Sequence, residues 1–107
     1  MIFDEGNSSD RIIQAVDEGL MSLGSSARRV IYYILDRRFQ LRPEGIPENL
    51  QLSHNALQAL PGEGAKVAEK TIAISLYKSL GLSLEEHSDW TLVDYVNHAN
   101  KIVRDSK

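Results

Sequence analysis

The stretch Leu60–Leu82, LPGEGAKVAEKTIAISLYKSLGL, decides the fold. On a helical wheel started at Ala65, one broad face carries Ala65, Ala68, Ile72, Ser75, Leu76, Ser79 and Leu80. Val67, Thr71 and Ala73 widen that face, and Ile74 stands near the opposite side. Lys66, Lys70, Tyr77 and Lys78 leave only a narrow polar stripe. A helix that is apolar nearly all round is a buried helix. The segment ahead of Gly81 is therefore expected at the centre of the fold, wrapped by amphipathic neighbours.

Those neighbours are readable on both sides. Upstream, Ile12, Ile13, Val16, Leu20 and Leu23 recur at helical spacing and predict a first helix from about Ser8 to Leu23. Asn7 is its expected cap, paired with Asp10, and Gly24 its expected left-handed stop. Ser25 or Ser26 then caps a second helix, Ala27 to Phe39, with Ala27, Val30, Ile31, Ile34 and Leu35 inward. The short turn at Gly24 makes an antiparallel hairpin of the two. Pro43, Gly45 and Pro47 break the pattern between Gln40 and Leu52. There Leu41, Ile46, Leu50 and Leu52 are expected to fold onto the core. A short helix suits Glu48 to Leu50 after Pro47, and Ser53 is the expected cap of another, His54 to Leu60.

Downstream, Thr91 and Asp94 form a capping box, and Trp90 and Tyr95 are placed as a hydrophobic staple. They open a last helix with Leu92, Val96, Ala99 and Val103 inward. No stretch alternates with period two. The expected fold is all-α: a compact single-domain bundle of four to five main helices around a buried central helix, spanning 1–107 with 1–7 as a loose end.

Composition narrows the function classes. The 107 residues carry a net charge of −3, which gives no overall pull toward nucleic acid or anionic lipid. Cysteine is absent, so thiolate metal sites and cysteine nucleophiles are excluded. No apolar run approaches the roughly 20 residues of a membrane span, and the acidic start MIFDEGNSSD lacks the basic and apolar regions of a signal peptide. A cytoplasmic location with no membrane partner is expected.

The run GEGAKVAEK…LYKSLGL, with SLGSSARRVIYYILDRRF before it and DWTLVDYVNHA after it, resembles a small archaeal helical domain, the Nitrosopumilus output domain. The residues that carry the resemblance are Leu23, Gly24, Ser25, Ile31, Tyr32, Leu35 and Phe39, then Ile46 and Pro47. They continue with Gly62, Gly64, Ala65, Lys66, Glu69 and Lys70, then Leu76, Tyr77, Leu80 and Gly81, and end at Asp94, Tyr95 and Val96. The likeness covers roughly residues 10 to 100 and departs from the pattern at Pro61, where an aromatic is expected. It implies a signalling output domain with no catalytic residues to carry over; such domains often end longer signalling proteins, and this one is expected to be a stand-alone version that receives its input through another protein.

Chemistry-bearing motifs are weak by comparison. Gly62-Glu63-Gly64-Ala65-Lys66 precedes a helix, but a phosphate loop needs a preceding strand, four residues between its glycines and Ser or Thr after the lysine. A close-approach turn is the simpler reading. Lys66, Glu69 and Lys70 read as a solvated stripe. His54, His87 and His98 lack metal spacing; only Asp94 and His98 pair at i,i+4, too few for a site. No catalytic residue, cofactor or metal is expected, and the four tyrosines read as core-edge residues.

The sharpest feature is basic. Arg28, Arg29, Arg37, Arg38 and Arg42 fall within fifteen residues that hold a single acid, Asp36. Arg29, Tyr33 and Arg37 line the side of the second helix opposite its core. The acids Asp4, Glu5, Asp10, Asp17 and Glu18 could neutralise the patch. The leading expectation is a non-enzymatic module that binds a protein partner, either another chain or a second copy. Arg29–Tyr33–Arg37 is its first contact surface and Lys66 and Lys70 its second. A nucleic-acid-binding regulator using the same Arg/Tyr stripe is the alternative, without a recognition-helix signature behind it.

Overall fold

The computed structural model describes the backbone of residues 5–105 and the side chains of residues 9–105. Among them are five helices and no strand: α1 (Glu5–Met21), α2 (Ser25–Phe39), α3 (Leu50–Leu57), α4 (Gly64–Ser79) and α5 (Leu92–Asp105). A single 3-10 turn, Pro43–Gly45, sits between α2 and α3. The all-α bundle expected from the sequence is the fold observed. Its Cα radius of gyration, 13.2 Å, matches the roughly 13 Å of a compact domain of this length.

The hub is α4. It packs most extensively on α1 and also touches α3 and α5. Small residues set the closeness of the α1–α4 crossing. Ala15 and Gly19 on α1 face Ala68 and Ile72 on α4, all buried. A Cβ built on Gly19 would lie 2.6 Å from the Ile72 Cα, so only glycine lets the two backbones pass. At its C-terminal end α4 closes in a Schellman turn: Leu82 N–H donates to the Tyr77 carbonyl and Gly81 N–H to that of Lys78. Gly81 supplies the left-handed residue, φ 71°. Arg11 reaches across from α1 to donate to the Ser79 carbonyl, 2.9 Å.

The hub is nevertheless not wrapped on every side. Tyr77, expected on the polar stripe, is only 1 % exposed, whereas Val67, expected on the apolar face, is 46 % exposed and Ile74 also faces out. Three neighbouring helices, α1, α3 and α5, pack on α4, and none of the described elements covers Val67 and Ile74.

Local boundaries shift elsewhere. The first helix starts at Glu5, so Asn7 lies within it rather than capping it; the expected docking of Ile2 and Phe3 lies outside the described residues. Ser25 begins α2 directly after Gly24, and neither serine makes a side-chain cap bond. Val30 is not in the core but 53 % exposed, because the buried line of α2 runs through Ile31 and Leu35. Gln40 ends α2 in the left-handed conformation (φ 51°, ψ 39°), which drops Leu41 into the core with Ile46. Leu52 points outward. Ser53 does not cap a helix: α3 begins at Leu50, and the buried Ser53 hydroxyl donates back to the Asn49 carbonyl at 2.8 Å.

Candidate functional site

Two surfaces hold the candidate residues. The first is a cleft of about 470 Å³ between α4 and the chain that leads into α5. Lys66, Glu69 and Lys70 line it from α4, and Tyr95 from α5. Its remaining wall is the segment carrying Glu86, His87 and Trp90.

That wall is built by local sequence signals. Asp94 accepts from Thr91 N–H at 2.9 Å, one half of the capping box anticipated above; the Thr91 hydroxyl, expected to take the Asp94 N–H, instead donates to the same carboxylate at 3.4 Å. Trp90 and Tyr95 meet edge to face with ring centroids 5.1 Å apart, which is the staple. Trp90 N–H and the Tyr95 hydroxyl both donate to the His87 carbonyl, while His87 N–H donates to the Tyr95 oxygen. The His87 ring is thereby laid on Trp90, centroids 3.8 Å apart and 17° from parallel. On the other flank the Tyr77 hydroxyl donates to the Tyr95 carbonyl, 2.8 Å. Its single proton is used there, so the His98 Nδ1, 2.9 Å away, carries its own proton to the tyrosine oxygen. Burial, and then the neighbouring Tyr95, push the Tyr77 phenol above its ordinary range.

Glu69 corrects the stripe reading. It is 7 % exposed, and both carboxylate oxygens are occupied. Oε2 lies 2.5 Å from His54 Nδ1 of α3, and Oε1 accepts from Leu92 N–H at 3.2 Å, the first turn of α5. A buried carboxylate is tolerable only with such partners, and the positive end of a helix dipole is a favourable one. The signal was present in the sequence: Ala65, Glu69, Ile72 and Leu76 fall at i, i+4, i+7 and i+11, an otherwise apolar line. The lysines differ. Lys70 Nζ lies 2.7 Å from Glu86, whose hydrogen bond and charge hold the ammonium above its ordinary range. Lys66 is exposed and has no carboxylate within 4 Å among the described residues.

The second surface is the outer side of α2. Tyr33 is 63 % exposed, and the Arg37 guanidinium stands 5.8 Å from its ring centroid. Arg29 and Val30 share that exposed side. The five arginines split. Arg28 is drawn back to Asp17 of α1 at 2.7 Å and stands 5.4 Å from the Tyr32 ring, while Tyr32 donates to the same carboxylate at 3.1 Å. Burial, with the Asp17 charge behind it, pushes the Tyr32 phenol up to about 12. Arg42 faces Asp36 at 3.8 Å. Arg29, Arg37 and Arg38 have no carboxylate within 4 Å among the described residues. Neutralisation by the acids of α1 therefore reaches Arg28 through Asp17; the side chains of Asp4 and Glu5 lie outside the described residues.

The structure thus keeps Arg29, Tyr33 and Arg37 together on α2 and sets Lys66 and Lys70 in a cleft to which α2 contributes no lining residue. Inside the bundle, the space between Val16, Leu35, Ile72 and Leu92 is only about 10 Å³, too small for a ligand. Among the described residues no group of three or more His, Asp or Glu side chains is placed to hold a metal ion, and no helix is long and apolar enough to cross a membrane. Comparison of the chain with protein families, curated proteins and solved structures finds no match.

Proposed function

We propose that the chain is a non-enzymatic interaction module that docks a protein partner on the outer side of α2. The observation that carries this reading is Tyr33, 63 % exposed beneath Arg37 and flanked by Val30 and Arg29. Tyrosine and arginine are, with tryptophan, the side chains enriched at the energetic centres of protein interfaces. A cation held over an aromatic ring is already ordered, so less entropy is lost when a partner covers it. Three arginines without a nearby carboxylate favour a partner that presents acids around an apolar contact. The likeness of the motif residues to small archaeal output domains also supports an interaction role.

A homodimer is one form this docking can take. The nucleic-acid alternative uses the same side chains, with Tyr33 stacking on a base and the arginines on phosphates. It is disfavoured because Arg28 and Arg42 are turned to carboxylates of this chain. Sedimentation of the full chain over a range of concentrations, with duplex and single-stranded oligonucleotides titrated at low salt, separates the readings. The interaction module predicts no oligonucleotide complex that is both tight and steeply salt-dependent. Such a complex, lost in Arg29→Ala and Arg37→Ala, overturns the proposal.

A further inference from the structure

The cleft beside α4 makes a site independent of the α2 surface. Its two acids are already engaged: Glu69 with His54 and the Leu92 N–H, Glu86 with Lys70. Its donors are not. Lys66 has no carboxylate nearby among the described residues, and the Lys70 ammonium keeps two protons beyond its bond to Glu86. The two lysines stand one helical turn apart, where side chains are about 6 Å apart at Cβ and both ammonium groups can converge on one anion. Opposite them is an aromatic wall, the His87–Trp90 stack with Tyr95 edge-on to Trp90. That wall is pinned by three hydrogen bonds between His87, Trp90 and Tyr95, so it is preformed. The volume, about 470 Å³, falls in the range of small-ligand sites.

We propose that this cleft binds a small anion carrying a flat apolar ring, an aryl carboxylate or aryl phosphate, with Lys66 and Lys70 on the acidic group and the Trp90 wall against the ring. A cation is the weaker fit, because Glu69 is buried with both oxygens occupied and Glu86 already carries the Lys70 ammonium. The two lysines and the aromatic wall together account for the class: the lysines alone would take any anion, and the wall alone any apolar ring.

Trp90 is the only tryptophan in the chain and lines the cleft, so its fluorescence reports occupancy directly. The full chain is titrated at low salt with phenyl phosphate, benzoate, inorganic phosphate and benzylamine, and calorimetry on the same samples detects any complex silent to fluorescence. Saturable binding of phenyl phosphate or benzoate near or below about 1 mM is expected. Which of the two binds tighter assigns the acidic group. Inorganic phosphate and benzylamine should bind at least tenfold more weakly. Lys66→Glu, at an exposed position, should weaken phenyl phosphate at least tenfold. Four results overturn the proposal: no saturation by about 10 mM, inorganic phosphate binding as tightly as phenyl phosphate, benzylamine binding as tightly, or Lys66→Glu titrating like the parent. None of them bears on docking at α2.

Discussion

The Glu69 carboxylate and the His54 ring meet 2.5 Å apart, joining α4 to α3 through a contact that is largely closed to solvent. The other Glu69 oxygen holds the start of α5. One side chain therefore ties three helices together. Glu69→Ala should destabilise the fold by about 2–4 kcal/mol, because it leaves both the imidazole and the Leu92 N–H without a partner. Glu69→Gln keeps an acceptor for Leu92 and should cost less than the alanine. Urea unfolding measures both; an alanine loss under about 0.5 kcal/mol with an unchanged m-value would contradict the role described.

Gly19 tests the α1–α4 crossing. By helix propensity alone, Gly19→Ala should stabilise by about 1 kcal/mol. The Ile72 backbone 2.6 Å from the new Cβ reverses the sign. A net loss of about 2 kcal/mol is expected, and a larger one for Gly19→Val. Thermal or urea denaturation reads it, with the exposed Gln14→Ala as a control expected within about 0.5 kcal/mol of the parent.

Alkaline stability should depend on Tyr32. Burial pushes its phenol up to about 12 in the folded protein, from an ordinary value of 10.0. Between those values the folded state holds the proton that the unfolded state has lost. Its contribution is thus complete below about pH 10 and disappears as pH rises through 12. Because the group is partly open to solvent, the contribution should amount to no more than roughly 1 kcal/mol. Tyr77 is raised in the same direction, by burial and then by the neighbouring Tyr95. Tyr32→Phe should flatten the fall between pH 10 and 12 and remove a tyrosinate that forms near pH 12 from the ultraviolet absorbance; an unchanged titration curve would reject the assignment.

The exposed α2 surface should be dispensable for folding. Tyr33→Ala and Arg37→Ala are each expected to change stability by less than about 0.5 kcal/mol, since neither is buried or bound to a carboxylate. Calorimetric unfolding of the two variants checks this. A loss above about 1.5 kcal/mol in either would give the stripe a structural purpose instead.

What could be read in the sequence was local. The entry to α5 needs only residues no more than five apart: Thr91 with Asp94, and Trp90 with Tyr95. The end of α4 needs only Gly81. The central helix was legible as a hub, but its wheel could not say which side stays open, because that depends on how many neighbours the chain can supply. Val67 and Tyr77 exchanged places for that reason. Ser53 is a favourable cap residue in isolation, yet it lies inside α3, where the Asn49 carbonyl satisfies its hydroxyl in a buried setting. Residues distant in sequence were the least visible. Glu69 reads as one more charge between two lysines until α3 brings His54 and α5 brings the Leu92 N–H. The Arg28–Asp17 pair likewise exists only once α1 and α2 lie side by side, so the sequence could place the arginines but not sort the paired from the exposed.

The most direct test of α2 docking is site-specific photocrosslinking from position 33. A photoreactive phenylalanine replaces Tyr33 in the full chain, expressed in its source cells, with the same residue at the exposed Asp105 of α5 as the comparison. The account predicts one dominant protein adduct from position 33, a second copy or a single other chain, abolished by Arg37→Glu and absent from position 105. No protein adduct above the position-105 background, or an adduct to nucleic acid in its place, would contradict it.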